Sequence, residues 1–385
     1  MIRSSKVLHV VLLCVPSSSL LAMFPHHRHL EFGPARTQYY SANPQVFRPE
    51  TNNDVSAELP KPCTTFCDPE HIKQNYVVSE DPIKGTRIQT NKFQYGDFDQ
   101  TDHLLCITTK HREHPDEFSR QEINNQADAI RTYAKLLHFT AYNQQHFTNW
   151  GRPAGQSIPH WHSQLESFKM LPLSMPERMR YVEQEAKIKD ASAAFEGLKI
   201  RLEQAKNLAK EQTSHPMPNR QECPCCQVYQ AYDEKSDRKN YVAARFEWNF
   251  LCLSHHSSIA AEVSVIPNEH VSSLRYISKK AWQENMAISM ALLPIMKEYA
   301  HNKVRDCGGA NTYTFGLGAL AEKQEQCTYH IHTRIMPRTT IVPTPGDLVG
   351  NSCKVDYNPD DLYTYLVDNH VEALRNKILE KKEDL

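Results

Sequence analysis

The chain has 385 residues, with 44 Lys+Arg against 45 Asp+Glu, 20 His, 11 Cys and only 12 Gly. That length supports a sizeable core in one large or two to three ordinary domains, and a formal charge of -1 gives no global attraction to nucleic acid or acidic membranes. No stretch approaches the ~18 apolar residues of a membrane span. An odd cysteine count, with Cys106 and Cys252 inside apolar runs, does not describe a small secreted disulfide framework.

Residues 1–22 carry Arg3 and Lys6, an apolar run from Val7 to Val15, then Pro16 and three serines. A secretory signal, an organelle transit segment and a plain leader all fit this pattern. Residues 1–40 are therefore set aside as a leader or targeting segment, the protein being otherwise expected in the cytoplasm. His26, His27 and His29 in this segment read as ordinary surface histidines.

From about Tyr40 to Pro62 the composition is that of a linker or extended arm. Residues 76–110 alternate in strand-like runs, the last leading from His103 to Thr109 just before His111. Ser119 stands three residues before Glu122, a capping-box spacing. Ile123, Ala127, Ile130, Ala134 and Leu137 then make one helical face. A strand ends at Asn149-Trp150-Gly151, and the loop Arg152 to Pro159 leads into a strand containing His160 to Phe168. Residues 176–213 read as a long solvated helix or helical hairpin, and the two prolines between Thr213 and Glu222 mark a boundary.

Beyond that boundary the order repeats. Cys223-Pro224-Cys225-Cys226 opens the second part, and strands run through Tyr241–Ala244, Phe246–Leu253 and Glu262–Pro267, the last leading to His270. A helix from about Lys279 to Tyr299, a strand at Thr312–Leu317 and Tyr329-His330-Ile331-His332 follow, and a last helix starts at Pro359 with Asn358 as its cap. Cys63 lies 48 residues before His111 and Cys223 lies 47 before His270; the next histidine follows after 49 residues in the first part and 60 in the second. These intervals predict an internal duplication into halves 41–213 and 214–385, the second carrying an insertion.

The densest chemical signal is Ser157-Ile158-Pro159-His160-Trp161-His162-Ser163-Gln164, preceded by Asn149, Gly151 and Gly155. On a strand, side chains two apart share a face, so His160, His162 and Gln164 are expected to line up, with Trp161 opposite as packing. The loop offers amides and hydroxyls suited to phosphate oxygens. A neutral imidazole with one nitrogen fixed by a hydrogen bond presents the other as a nucleophile toward phosphorus.

This block, Ser157 with Pro159 and then His-x-His-x-Gln, resembles the galactose-1-phosphate uridylyltransferase branch of the histidine-triad superfamily. The resemblance extends over residues 60–380 as scattered motifs: Thr90-Asn91-Lys92-Phe93, the strand before His111, the Cys63/Cys67 pair and, weakly, Leu348-Val349-Gly350. It implies an α+β fold of two histidine-triad-like half-domains, each an antiparallel sheet with helices packed on one side. It implies His162 as the nucleophile that carries a nucleoside monophosphate, Gln164 on the transferred phosphoryl group, Asn149 and Ser157 on phosphate oxygens, and Asn91 on the nucleoside. The implied activity is nucleotidyl transfer from a nucleotide sugar to a sugar-1-phosphate, as in galactose metabolism. The alternatives are a dinucleoside polyphosphate phosphorylase or hydrolase and a non-enzymatic, zinc-stabilised nucleotide-binding protein. The expected partners are a nucleotide sugar or dinucleotide and a phosphate-bearing acceptor, with a homodimer left open.

Cys63, Cys67, His111 and His160 supply two thiolates and two imidazoles, a closed tetrahedral zinc set with no open position for catalysis. Three residues separate the cysteines where the family has two, and Lys92 stands where the family tends to have an acidic residue. Cys223, Cys226, His270 and His330 form the duplicate set and a candidate second zinc site. His332 is followed by Arg334 at the glutamine position, so the second half reads as structural.

Overall fold

The computed structural model describes residues 63–74, 77–91, 101–141, 143–168, 195, 198–204, 206–207, 221, 223–230, 241–253, 261–303, 307–319, 329–338 and 358–379. The leader and arm, Lys92 and Phe93, most of the 176–213 segment, the Thr213–Glu222 boundary apart from Gln221, and the Leu348 segment lie outside the described residues.

In chain order the strands are β1 (Val77–Asp81), β2 (Thr86–Thr90), β3 (Thr101–Thr108), β4 (Asn143–Trp150), β5 (His162–Phe168), β6 (Val242–Arg245), β7 (Asn249–Leu253), β8 (Val263–Pro267), β9 (Gly309–Leu317) and β10 (His332–Arg338). They form one sheet in the order β1-β2-β3-β5-β4-β9-β10-β8-β7-β6. Every adjacent pair is antiparallel. The last five strands repeat the connectivity of the first five in mirror order, and β4 against β9 joins the two sets along eight paired residues.

The helices that matter to the site are α1 (Thr64–Cys67), α2 (Pro69–Gln74), α3 (Arg120–Leu137), α4 (Pro224–Gln230), α5 (Lys279–Lys303), α6 (Pro359–Asn369) and α7 (Val371–Leu379). The capping box forms as the spacing predicts: the Glu122 N–H donates to Ser119 Oγ (3.2 Å) and the Ser119 N–H to Glu122 Oε2 (2.9 Å). The apolar stripe Ile123, Ala127, Ile130, Ala134 and Leu137 is buried against the sheet. Helix α5 runs four residues past the predicted end at Tyr299 and buries residues all round its axis, because the sheet, α3 and α7 each cover part of it. Two side-chain bonds tie the halves together across this layer: Trp282 Nε1–H donates to the Ala127 carbonyl (3.1 Å) and Arg131 Nε–H to that of Ile277 (2.7 Å). Asn358 caps α6 by accepting from the Asp360 N–H (3.0 Å), and a break at His370 separates α7.

Period-two alternation divides the sheet into a helix-packed face and an opposite face. On β4, Gln144 reaches the Ala134 carbonyl and His146 meets Trp282 edge-on at 5.4 Å, both on the helix-packed face. Full burial pushes His146 down from 6.5 to about 3. Between those values the unfolded chain binds a proton there and the folded chain does not. Acidification through this window should therefore cost about 1.4 kcal/mol of stability per pH unit from this group. Urea unfolding midpoints for the wild type and His146→Leu, compared at pH 7 and pH 5, should show a shallower pH slope in the variant.

Candidate functional site

The opposite face carries the chemistry. Helix α1 starts directly after Cys63 and ends on Cys67, so the two thiols sit one helical turn apart and point the same way. The three-residue gap is thus accommodated by α-helical geometry. Cys63 Sγ lies 3.6 Å from His160 Nδ1, and Cys67 Sγ lies 3.4 Å from both His111 Nδ1 and His160 Nδ1. A tetrahedral ion with metal–sulfur and metal–nitrogen bonds of about 2.3 and 2.0 Å has sulfur–nitrogen edges of about 3.6 Å, so this donor set fits one. The outer nitrogens are also fixed: His160 Nε2–H donates to the Thr108 carbonyl (2.9 Å) and His111 Nε2–H to Glu113 (3.0 Å), leaving each Nδ1 as the ligating atom. Burial, with Cys63 beside it, pushes the Cys67 thiol up to about 11, a penalty a bound dication would reverse.

The second cluster repeats this geometry. Cys223 Sγ is 3.5 Å from His330 Nδ1, Cys226 Sγ is 3.1 Å from His270 Nδ1 and 3.6 Å from His330 Nδ1, and His330 Nε2–H donates to the Pro267 carbonyl at 2.9 Å. In each set of four the ligand atoms lie within 4.8 Å of one another, so both clusters can hold a metal ion.

One register correction concerns His160. The strand begins at His162, and His160 lies in the preceding turn. Its ring is buried against the thiols, while its backbone carbonyl accepts the Nδ1–H of His162 at 2.8 Å. That bond fixes the His162 tautomer with the lone pair on Nε2. The Phe66 ring lies edge-on to both imidazoles, 5.6 Å from His160 and 5.3 Å from His162. Trp161 packs the other way, at 5.5 Å from Phe118 in the main core.

Gln164 pairs in register with Phe147 of β4 and Leu105 of β3. Its Oε1 lies 2.8 Å from Nε2 of the fully buried His103, whose Nδ1 is 3.1 Å from Glu166 Oε1. Glu166 also accepts from Gln145 Nε2, and burial pushes its carboxyl up to about 8. Asn91 places Nδ2 at 3.3 and 3.0 Å from the two His103 nitrogens. The sequence by itself assigns His103, Glu166 and Gln145 no role at the site. The signal that finds them is the period-two step from Gln164 to Glu166 together with the β3–β5 register, in which His103 faces Glu166.

The loop before His160 corrects another expectation. The Gly151 N–H donates to Gln156 Oε1 (2.7 Å), those of Ala154 and Gln156 to the Gly151 carbonyl (3.1 and 3.2 Å), and that of Gly155 to the Arg152 carbonyl (2.9 Å). These amides close the loop on itself and do not make an anion cradle. The need for glycine lies elsewhere: Gly151 has φ +84°, and a Cβ there would sit 2.3 Å from the Gly308 carbonyl oxygen in the other half. Gly151→Ala is expected to destabilise the fold by about 3 kcal/mol through backbone strain and overpacking, measurable as a lowered urea midpoint. Ser157 is half-buried in this loop. Asn149 Oδ1 accepts from Asn311 Nδ2 of β9 (2.7 Å), which turns the Asn149 amide so that its NH2 is the remaining donor.

In the second half, His332 Nδ1–H donates to the His330 carbonyl at 3.0 Å, the posture of His162. Arg334, at the glutamine position, is ion-paired with Glu262.

The ten-stranded sheet brings the His-x-His-x-Gln segment beside a Cys/His cluster, and its fold is similar to that of solved uridylyltransferase and GalT-like structures. No protein-family model and no curated protein sequence matches the chain. Among solved structures, a uridylyltransferase mutant aligns over 84% of this chain and 95% of that one, with a TM-score of 0.55 at 12% identity. An ADP-glucose phosphorylase from Arabidopsis thaliana, with bound ADP-glucose, aligns over 81% and 92% with a TM-score of 0.52 at 16% identity. A GalT-like protein from Arabidopsis thaliana aligns over 81% and 94%, again with a TM-score of 0.52 at 16% identity. These likenesses are of fold. Among the described residues, no helix is long and apolar enough to cross a membrane.

Proposed function

We propose that this protein is a nucleotidyltransferase working by double displacement on His162, and that its two halves, meeting near residue 213, arose by duplication. The observation that carries the reading is the His162 ring, held through Nδ1–H to the His160 carbonyl so that Nε2 is the nucleophilic nitrogen. Nε2 attacks the α-phosphorus of a nucleotide sugar; the N–P bond forms as the bond to the departing sugar phosphate's oxygen breaks. A sugar-1-phosphate then attacks the same phosphorus and restores the imidazole. Gln164 and the Asn149 amide donate to the phosphoryl oxygens, with Ser157 on a neighbouring oxygen and Asn91 on the nucleoside. Glutamine at the third signature position, in place of the histidine of the related hydrolases, favours transfer over hydrolysis.

Zinc is the ion we assign to Cys63, Cys67, His111 and His160, and to Cys223, Cys226, His270 and His330. Two thiolates with two imidazoles suit a soft-to-borderline, closed structural site. In the first site it would secure the turn that carries the His160 carbonyl.

The fold neighbours include a phosphorylase, so the acceptor is the finer question. Incubation of the protein with a labelled nucleotide sugar and, separately, hexose-1-phosphate, inorganic phosphate or water alone distinguishes the acceptors by product. The reading predicts a new nucleotide sugar with hexose-1-phosphate. Product only with phosphate or water would replace transferase by phosphorylase or hydrolase. A galactose-metabolic role and a soluble cytoplasmic setting belong to the same proposal, as does a homodimer.

A further inference from the structure

The chain Gln145–Glu166–His103–Gln164 lies inside the sheet's site face and ends on the one signature residue whose amide can be turned either way. Turned with Oε1 outward, Gln164 would present a carbonyl to an anionic phosphoryl group; turned with its NH2 outward, it donates. We infer that His103 is a positioning residue for the nucleotidyl-transfer reaction: its Nε2–H holds Gln164 Oε1 inward, so that the Gln164 NH2 group points to the transferred phosphoryl oxygens. This rests on the transferase reading for its consequence, and on the contacts themselves for the orientation.

Two protonation arrangements of the pair give the same answer. With Glu166 neutral, the ring is free to carry its proton on Nε2; with the pair ionised, both ring nitrogens carry protons. Only a Glu166 carboxylate beside a neutral ring protonated on Nδ1 would leave Nε2 bare. Burial, which raises Glu166 to about 8, favours the neutral arrangement near pH 7. Both residues are at most 1% exposed, so water does not compete for these bonds. Asn91 bonds the His103 carbonyl through its own N–H at 2.9 Å, which places this nucleoside-facing residue beside the same ring.

Two variants separate positioning from packing. In His103→Gln, the new amide nitrogen takes the place of Nε2; in His103→Asn, it takes the place of Nδ1 and loses Gln164. With a panel of nucleotide sugars as donors, the rate of adduct formation on the metal-loaded chain should fall about 100-fold in His103→Asn. The melting temperature should stay near wild type, and His103→Gln should recover most of the rate. Equal loss in both variants together with a lowered melting temperature, or no loss in either, overturns the inference. Long-range 1H–15N spectra of the intact, histidine-labelled protein give a readout independent of turnover. A proton on His103 Nε2 is required, and a lone pair there overturns the inference whatever the donor panel shows. Absence of an adduct in the wild type, with Nε2 protonated, counts against the transferase reading and leaves the orientation supported.

Discussion

His162→Ala is expected to reduce nucleotidyl transfer by at least about 10,000-fold while leaving the fold and the metal content intact. The ring is on a central strand, yet its contacts include an edge-on approach from Phe66, which belongs to a small cluster apart from the main core, and a bond to the His160 carbonyl, so truncation opens little of the main core. Nucleotide binding should survive, because Asn91 and Gln164 keep their contacts with His103, and Asn149 its bond from Asn311. Isothermal titration with the donor and the labelled-product assay together check both halves of this expectation. Retained turnover in the variant would point to a different attacking group and remove the basis for the proposed mechanism. Donor binding by the variant, coupled with no turnover by the wild type, would identify a nucleotide-binding module.

The second large effect is metal removal. Chelation, or Cys67→Ala, should release the first-site ion and lower stability on the order of 5 kcal/mol, since a closed site of this ligand set contributes folding free energy directly. The kinetic consequence is expected to be greater than this destabilisation alone accounts for. In the proposed site His160 would ligate through its ring while its carbonyl orients His162, so losing the ion is expected to loosen the proposed nucleophile two residues away. Cys226→Ala in the second cluster should also cost stability and one equivalent of metal, but with a much smaller fall in transfer rate. Metal analysis, thermal melting and adduct formation rates on the two variants separate these outcomes. Equal kinetic losses from both clusters would mean that the first ion has no particular hold on His162.

The sequence was most informative where the physics is local. The capping box at Ser119 and the Asn358 cap follow from rules spanning a few residues, and each has its counterpart in the structure, as does the strand through Gln164 to Phe168, although it starts at His162 and leaves out His160. The two Cys/His quartets were also legible, because ligand chemistry limits which side chains can meet and the intervals between them recur. What depends on register was not. His103 and Glu166 look like ordinary strand residues until β3 and β5 are laid side by side. The glycines of the 151–155 loop suggest an anion cradle until Gly308 and Gly309, more than 150 residues away, are seen packed against Gly151. The β4–β9 seam is likewise invisible in a single sequence, since nothing local says that the two halves share one sheet.

Intact-protein mass spectrometry on the metal-loaded chain, mixed with nucleotide sugars and dinucleotides and followed by peptide mapping, bears most directly on the central claim. We predict an acid-labile gain of one nucleoside monophosphate, mapped to His162 and lost on addition of a phosphate-bearing acceptor. A folded, metallated chain that binds a donor yet gains no mass, or gains it at another residue, would contradict a covalent intermediate on His162.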